Sequence, residues 1–154
     1  MFVYLKPVID DVLGMIDGVE AELYSEFTSA ELQELADWAL ITIQRRTRKG
    51  KDYQGKRFAP YKQSTIVDRS KRRRKIRTVT LEDTGRMLTN MSSGVEGKRA
   101  VVFFSSANEG RKAYFLNSGT RHMSRRQFMR LSKTELAQAN TMAAAMVIRR
   151  INSK

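Results

Sequence analysis

Between residues 7 and 25, Val8, Ile9, Val12, Leu13, Ile16, Val19 and Leu23 recur at steps of three and four, one apolar face of a helix. Pro7 suits its first turn and Asp10 and Asp11 its positive end, so the spacing predicts an acidic N-terminal helix over 7–25. Gly14 and Gly18 each cost it about 1 kcal/mol relative to alanine, and such a helix needs a packing partner. A second helix is announced more strongly. Thr28 and Glu31 form a capping box, Phe27 and Leu32 fit the hydrophobic staple across it, and Leu32, Leu35, Ala36, Ala39 and Ile43 make a buried stripe. Arg45, Arg46, Arg48 and Lys49 suit the negative end of this helix, and Gly50 stops it.

The periodicity then fades. From 45 to 77 the chain holds fifteen Lys or Arg against two Asp, which predicts a long basic loop, disordered in isolation. Within it Asp52-Tyr53-Gln54-Gly55 reads as a turn, and Phe58, Pro60 and Tyr61 are the groups able to pin the loop to the body. Lys71-Arg72-Arg73-Arg74-Lys75 is its densest cluster of charge.

Residues 81–90 lead into a first strand at Met91 to Val95, and Glu96-Gly97-Lys98 turns the chain back into Arg99 to Ser105. Ala100-Val101-Val102-Phe103-Phe104 is a continuous apolar run, which predicts a strand buried on both faces. Residues 109–117 form a short helix that ends at Asn117-Ser118-Gly119-Thr120, where Asn and Gly readily adopt positive φ. A basic segment follows, with Arg121, His122, Arg125, Arg126 and Arg130, in which Phe128, Met129 and Leu131 anchor a solvated loop. The last helix opens at Ser132 with Glu135 as its capping box and Leu131 and Leu136 as its staple. Leu136, Ala139, Ala143, Met146 or Val147, and Ile151 supply its apolar face, and Arg149-Arg150 its basic end. The expected fold is α+β, a small antiparallel sheet packed with three to four helices and carrying a long basic loop. A single domain over 1–154 is expected, with the sheet and C-terminal helix in 81–152.

Charge changes this picture more than length does. The 154 residues carry a net charge of +13, yet the first 42 hold one lysine against nine acidic residues. An acidic N-terminal face and a basic remainder are complementary but different surfaces, so contact between copies is heterologous and closes into rings. The absence of cysteine excludes disulfides, thiolate metal sites and thiol catalysis. No run of eighteen apolar residues exists, and the N-terminus lacks a basic leader pattern. A soluble chain made in the cytoplasm, with no membrane partner, is expected.

Candidate chemistry is sparse. His122, the sole histidine, has no neighbouring carboxylate in the sequence to orient it. Glu82-Asp83 is the only adjacent acidic pair in the basic part, whereas a divalent-metal nuclease needs several converging carboxylates. No catalytic residue, metal or cofactor is assigned, and the chain reads as a binding protein, not an enzyme. The basic tract supports two readings. As a nonspecific nucleic-acid contact it offers phosphate partners, with Tyr53, Phe58 and Tyr61 free to stack on bases. As an assembly surface it needs no nucleic acid.

Three segments carry a resemblance. Phe58-Ala59-Pro60-Tyr61-Lys62-Gln63-Ser64-Thr65, then Leu81 with Thr84-Gly85-Arg86-Met87-Leu88, then Tyr114-Phe115-Leu116-Asn117-Ser118-Gly119-Thr120 with Arg126, Phe128 and Leu131-Ser132, resemble in order the signature of the tailed-phage virion morphogenesis (tail completion) family. Together they span roughly residues 28–150. Where family members commonly have a proline and a histidine, this chain has Ser124 and Leu116, which implies a less rigid loop and one polar contact fewer. The resemblance implies a structural virion protein at the head–tail neck, assembled in the host bacterial cytoplasm. Such proteins form rings, often hexameric, that complete the tail tube and join it to the head connector, with at most passing contact with phage DNA. It implies that Phe128, Leu131, Tyr114 and Phe115 pack the corner. Arg121, Arg125, Arg126 and the tract Arg72, Arg73, Arg74 and Lys75, with Tyr61 beside them, would face partners.

Overall fold

The computed structural model describes residues 3–4, 27–74 and 76–153. The acidic helix expected over 7–25, and Lys75, lie outside the described residues. The elements run β1 (Val3–Tyr4), α1 (Ser29–Arg48), α2 (Gln63–Lys71), α3 (Arg86–Thr89), β2 (Met91–Glu96), β3 (Arg99–Phe104), α4 (Ala107–Ser118) and α5 (Lys133–Asn152), an α+β fold. The described residues group into two compact units, one built on 42–74, 76–91 and 104–130, the other on 3–4, 27–41, 92–103 and 131–153.

The second of these holds the sheet. β2 and β3 are joined by the two residues Gly97-Lys98, and Gly97 takes the positive φ of +59° that so tight an antiparallel turn requires. β1 pairs antiparallel with the other edge of β3, Val3 opposite Val102 and Tyr4 opposite Val101, giving the order β1-β3-β2. Ala100, Val101 and Val102 are buried as the continuous apolar run predicts, but Phe103 and Phe104 at its end are only partly buried, so full burial on both faces is limited to the first half of the run. Helix α1 starts with the expected capping box: the Thr28 amide donates to Glu31 Oε2 at 2.8 Å and the Glu31 amide to Thr28 Oγ1 at 3.2 Å. Ser132 and Glu135 repeat the device at α5. Leu32, Leu35, Ala36 and Ala39 of α1 and Ala139, Ala143, Met146 and Val147 of α5 are buried. Gln33 and Asp37 hydrogen-bond Ser93 of β2, and Arg150 reaches Glu31 at 3.2 Å. The apolar face of α5 ends a turn earlier than its spacing suggests. Ile151 is 47% exposed, because the buried surface stops at Val147, while Asn140 is buried within the stripe.

In the first unit the expected extended loop over 45–77 is corrected. α1 continues to Arg48, and Gly50, at φ +72°, turns the chain. A Cβ at Gly50 would stand 2.9 Å from Thr78 Cγ2 and 3.0 Å from the Val79 carbonyl oxygen, so glycine is required there for space as well as for φ. The strand-like return is closed by the Phe58 amide on the Gly50 carbonyl and by the bridge between Lys51 and Arg57. At its tip Asp52 Oδ1 accepts from the amides of Gln54 and Lys56, each at 2.9 Å, the expected turn. The tract then folds into α2, although Lys62 offers its N-terminus no side-chain cap and its composition is polar. Tertiary bonds made by Arg69, described below, supply what local propensity lacks. α3 is a single turn entered through Gly85 at φ +79°, and it packs against α4. Ile43, Phe58, Val79, Leu81, Met87, Leu88, Ala113, Phe128 and Met129 are buried in this unit.

Candidate interaction surface

The corner after α4 is built by two residues. Gly119, at φ +76°, ends the helix with its amide on the Phe115 carbonyl, and a Cβ there would lie 3.1 Å from the Arg125 amide nitrogen. Asn117 turns its side-chain oxygen onto the loop, accepting from the amides of Phe128 and Met129 at 3.1 Å each. The Arg126 amide meets the Leu116 carbonyl at 2.8 Å, and Thr120 and Met123 exchange backbone bonds. The loop is thereby fixed by its backbone, and Phe128 is driven to complete burial. Leu131 is buried as expected, but Tyr114 and Phe115 are 54% and 42% exposed, because they project from the outward side of α4. Their expected place in the corner is corrected accordingly.

Arg126, expected to face a partner, instead lies buried. Its Nε donates to the Ala59 carbonyl and its Nη2 to the Pro60 carbonyl, both at 3.2 Å. These bonds replace water for the guanidinium, and they tie the corner to the segment 58–61. The Arg126 guanidinium also lies 5.6 Å from the centre of the Tyr61 ring, and that of Arg69 lies 4.7 Å from it. Arg69, itself buried, donates to the Glu82 carbonyl at 2.7 Å and to Asp83 Oδ1 at 3.3 Å. Tyr61 thus carries two cations while its phenolic oxygen is buried with no hydrogen-bond partner among the described residues. Burial pushes the Tyr61 phenol above its usual pKa, against the opposing pull of Arg69 and Arg126. Burial likewise lowers Arg126, which remains a cation throughout the physiological range. Arg46, expected to serve the helix dipole, is also buried, and its Nη2 holds the carbonyls of Phe128 and Arg130 at 2.7 and 2.6 Å.

The remaining cations divide into engaged and free. Arg72 pairs with Asp68 at 3.2 Å, Arg74 approaches Asp83 at 3.9 Å and Arg125 donates to the Asn117 carbonyl at 3.4 Å. Arg73 follows α2 in the left-handed region at φ +54°, and Arg121 and His122 are exposed at the corner's tip. Glu82 and Asp83, the acidic pair, are committed to Arg48, Arg69 and Arg74. Among the described residues no group of three His, Cys, Asp or Glu is placed to hold a metal ion, and no helix is long and apolar enough to cross a membrane. The aromatic residues suggested for base stacking are otherwise employed. Phe58 is buried, Tyr61 carries its two guanidinium groups, and Tyr53 lies under Arg130 at 5.3 Å.

Three residues escape sequence reasoning: Arg46, Arg69 and Asn117 in its bonding role. Arg46 follows the buried Ile43 by three positions and Arg69 follows Ile66 by three, spacing that places each arginine beside an apolar face. A groove of about 390 Å³ is lined by Leu81, Thr84, Gly85 and Met87 together with Phe115, Leu116 and Met123. The three separated stretches 58–65, 81–88 and 114–130 thus converge in one unit. No family model, curated protein or solved structure matches this chain.

Proposed function

We propose that this chain is a structural protein of a tailed-phage particle, acting at the neck or the head-proximal end of the tail. There it forms a ring, of hexameric type, that completes the tail tube and presents a surface to the head connector. The observation that carries the proposal is the convergence of the three resembling stretches through the resembling residues themselves. Arg126 bonds Ala59 and Pro60, Asn117 bonds Phe128 and Met129, and the Thr84-Gly85 turn shares a groove with Phe115 and Leu116. Residues far apart in sequence that jointly fix one corner are what a shared signature requires.

The work of such a protein is binding alone. Arg72 and Arg73 at the end of α2, and Arg121 and Arg125 in the corner loop, stand exposed to meet acidic partner surfaces, while Arg126 and Phe128 set that loop. The alternative, a nonspecific nucleic-acid-binding protein using the tract 45–77, would draw on the same exposed cations. It is weakened by the engagement of Phe58 and Tyr61, which leaves it phosphate contacts without stacking. Electron microscopy of nuclease-treated protein separates the two: rings formed without nucleic acid support the neck protein. Particles that appear only with added DNA, together with DNA affinity that survives physiological salt, would favour the alternative.

A further inference from the structure

A cleft of about 500 Å³ opens in the first unit between the end of α1 and the segment before Thr80. The exposed Pro60 and the edges of Phe58 and Val79, each only 7% exposed, give its apolar lining, and Lys49, Arg57 and Arg77 line it with exposed charge. Those three side chains are exposed, and among the described residues none of them has a carboxylate partner. Among the described residues no acidic residue lines the cleft. A second cleft, of about 400 Å³ and lined by Arg69, Arg73, Arg74, Glu82 and Asp83, is different: there Arg69 and Arg74 already hold Asp83. The first cleft is also rigidly made. Gly50 lies against Thr78 and Val79 on one side, and the Phe58 amide is locked to the Gly50 carbonyl on the other.

A cleft with a small apolar lining between cations that lack a carboxylate among the described residues fits a ligand that is acidic and carries apolar side chains beside its charges. The chain contains one such segment. Residues 8–23 alternate Val8, Val12, Ile16, Val19 and Leu23 with Asp10, Asp11, Asp17, Glu20 and Glu22, and have no cation between them. We infer that the cleft edged by Lys49, Arg57 and Arg77 receives the acidic segment 7–25 of a second copy of this chain. The inference rests on the ring proposed above and supplies its heterologous contact, since donor segment and receiving cleft are different surfaces. Nucleic acid fits the cleft less well. A phosphate backbone would satisfy the cations but leave the exposed Pro60 uncovered, and Phe58, the aromatic residue in the cleft's described lining, is buried and gives a base no face to stack on.

The test uses the full chain, mixed from isotopically heavy and light copies at high salt and returned to low salt. A zero-length carboxyl-to-amine crosslinker is then applied, and light scattering reports the mass before crosslinking. The expected product joins Lys49 of one isotope to a carboxylate among Asp10, Asp11, Asp17, Glu20 and Glu22 of the other. A chain carrying R57E and R77E should need ~10-fold or more higher concentration to assemble, through like-charge repulsion of the acidic segment. A chain that also carries D11K and E20K should recover assembly, which a merely misfolded variant could not. A multi-subunit mass without the mixed Lys49 link, or with links confined to one isotope, overturns this inference and leaves the ring standing. A monomeric mass overturns the ring itself. Retention of a short DNA duplex by the wild-type chain at physiological salt, lost in the R57E/R77E chain, would assign the cleft to phosphate and also overturn the inference.

Discussion

Replacing Arg126 by methionine removes a buried guanidinium while keeping most of its volume. Arg126 makes two charge-assisted bonds, to the carbonyls of Ala59 and Pro60, and stacks on Tyr61. Bonds of this kind contribute about 1.5–3 kcal/mol each net of desolvation, and the ring contact about 0.5–2 kcal/mol. Pro60 is exposed, so water can recover part of the loss at its carbonyl and the lower values apply. The expected cost is ~4 kcal/mol, equivalent to a fall of ~10 °C in Tm for a chain of this size. Arg126→Lys keeps the charge but offers a point donor in place of a planar fork, and should lose ~2 kcal/mol. Arg121 belongs to the same loop but is exposed, so Arg121→Met should stay within ~0.5 kcal/mol of wild type. Urea unfolding followed by circular dichroism and by the fluorescence of Trp38, the single tryptophan, measures all three. If Arg126→Met and Arg121→Met prove equally mild, Arg126 is not the tie between the corner and the segment 58–61.

Tyr61→Phe removes a phenolic oxygen that is buried with no partner among the described residues, so the variant should be as stable as wild type or up to ~1 kcal/mol more so. The raised phenol pKa makes the same residue pH-sensitive in a defined direction. The unfolded tyrosine releases its proton near pH 10 while the folded one retains it, so this contribution is complete below about pH 10 and is lost as pH rises further. Urea midpoints collected from pH 9 to 11 should therefore fall less for Tyr61→Phe than for wild type, and equal slopes would refute the burial of the phenol. Asn117→Ala should cost ~2 kcal/mol by freeing two backbone amides, whereas Asn117→Asp, which keeps the acceptor, should cost much less; equal losses would show that the side-chain oxygen is not the anchor. Gly50→Ala should cost at least ~2 kcal/mol, from the left-handed φ and from the close approach of Thr78 and Val79, and a neutral result would mean that the wall of the basic cleft is not packed.

The helices that advertise their ends are legible in the sequence alone. Thr28 with Glu31 and Ser132 with Glu135 mark α1 and α5 to the residue, and Gly97 marks the hairpin. Helix α2 is not legible, because nothing in Gln63–Lys71 besides Ile66 and Val67 is apolar and no capping side chain precedes it. It is held by Arg69, whose partners Tyr61, Glu82 and Asp83 lie eight or more residues away and come together only in the fold. The same physics hides Arg126. Within a run of four arginines and three apolar anchors, composition gives no sign of which guanidinium will find backbone carbonyls and which will stay in water. The role of Arg121 and Arg125 as exposed groups is legible from the run itself, since most charges in such a segment remain solvated. The cleft of Lys49, Arg57 and Arg77 depends on the return of the chain at Gly50, which brings separated positions together and leaves no periodic trace.

The most direct test of assembly is the light-scattering mass of the nuclease-treated 154-residue chain at low and at moderate salt. A heterologous ring closed by an acidic segment on a basic cleft predicts a discrete mass several times the 17.7 kDa of one chain, dissociating as salt screens the contact. A mass of one chain at both salts would contradict it.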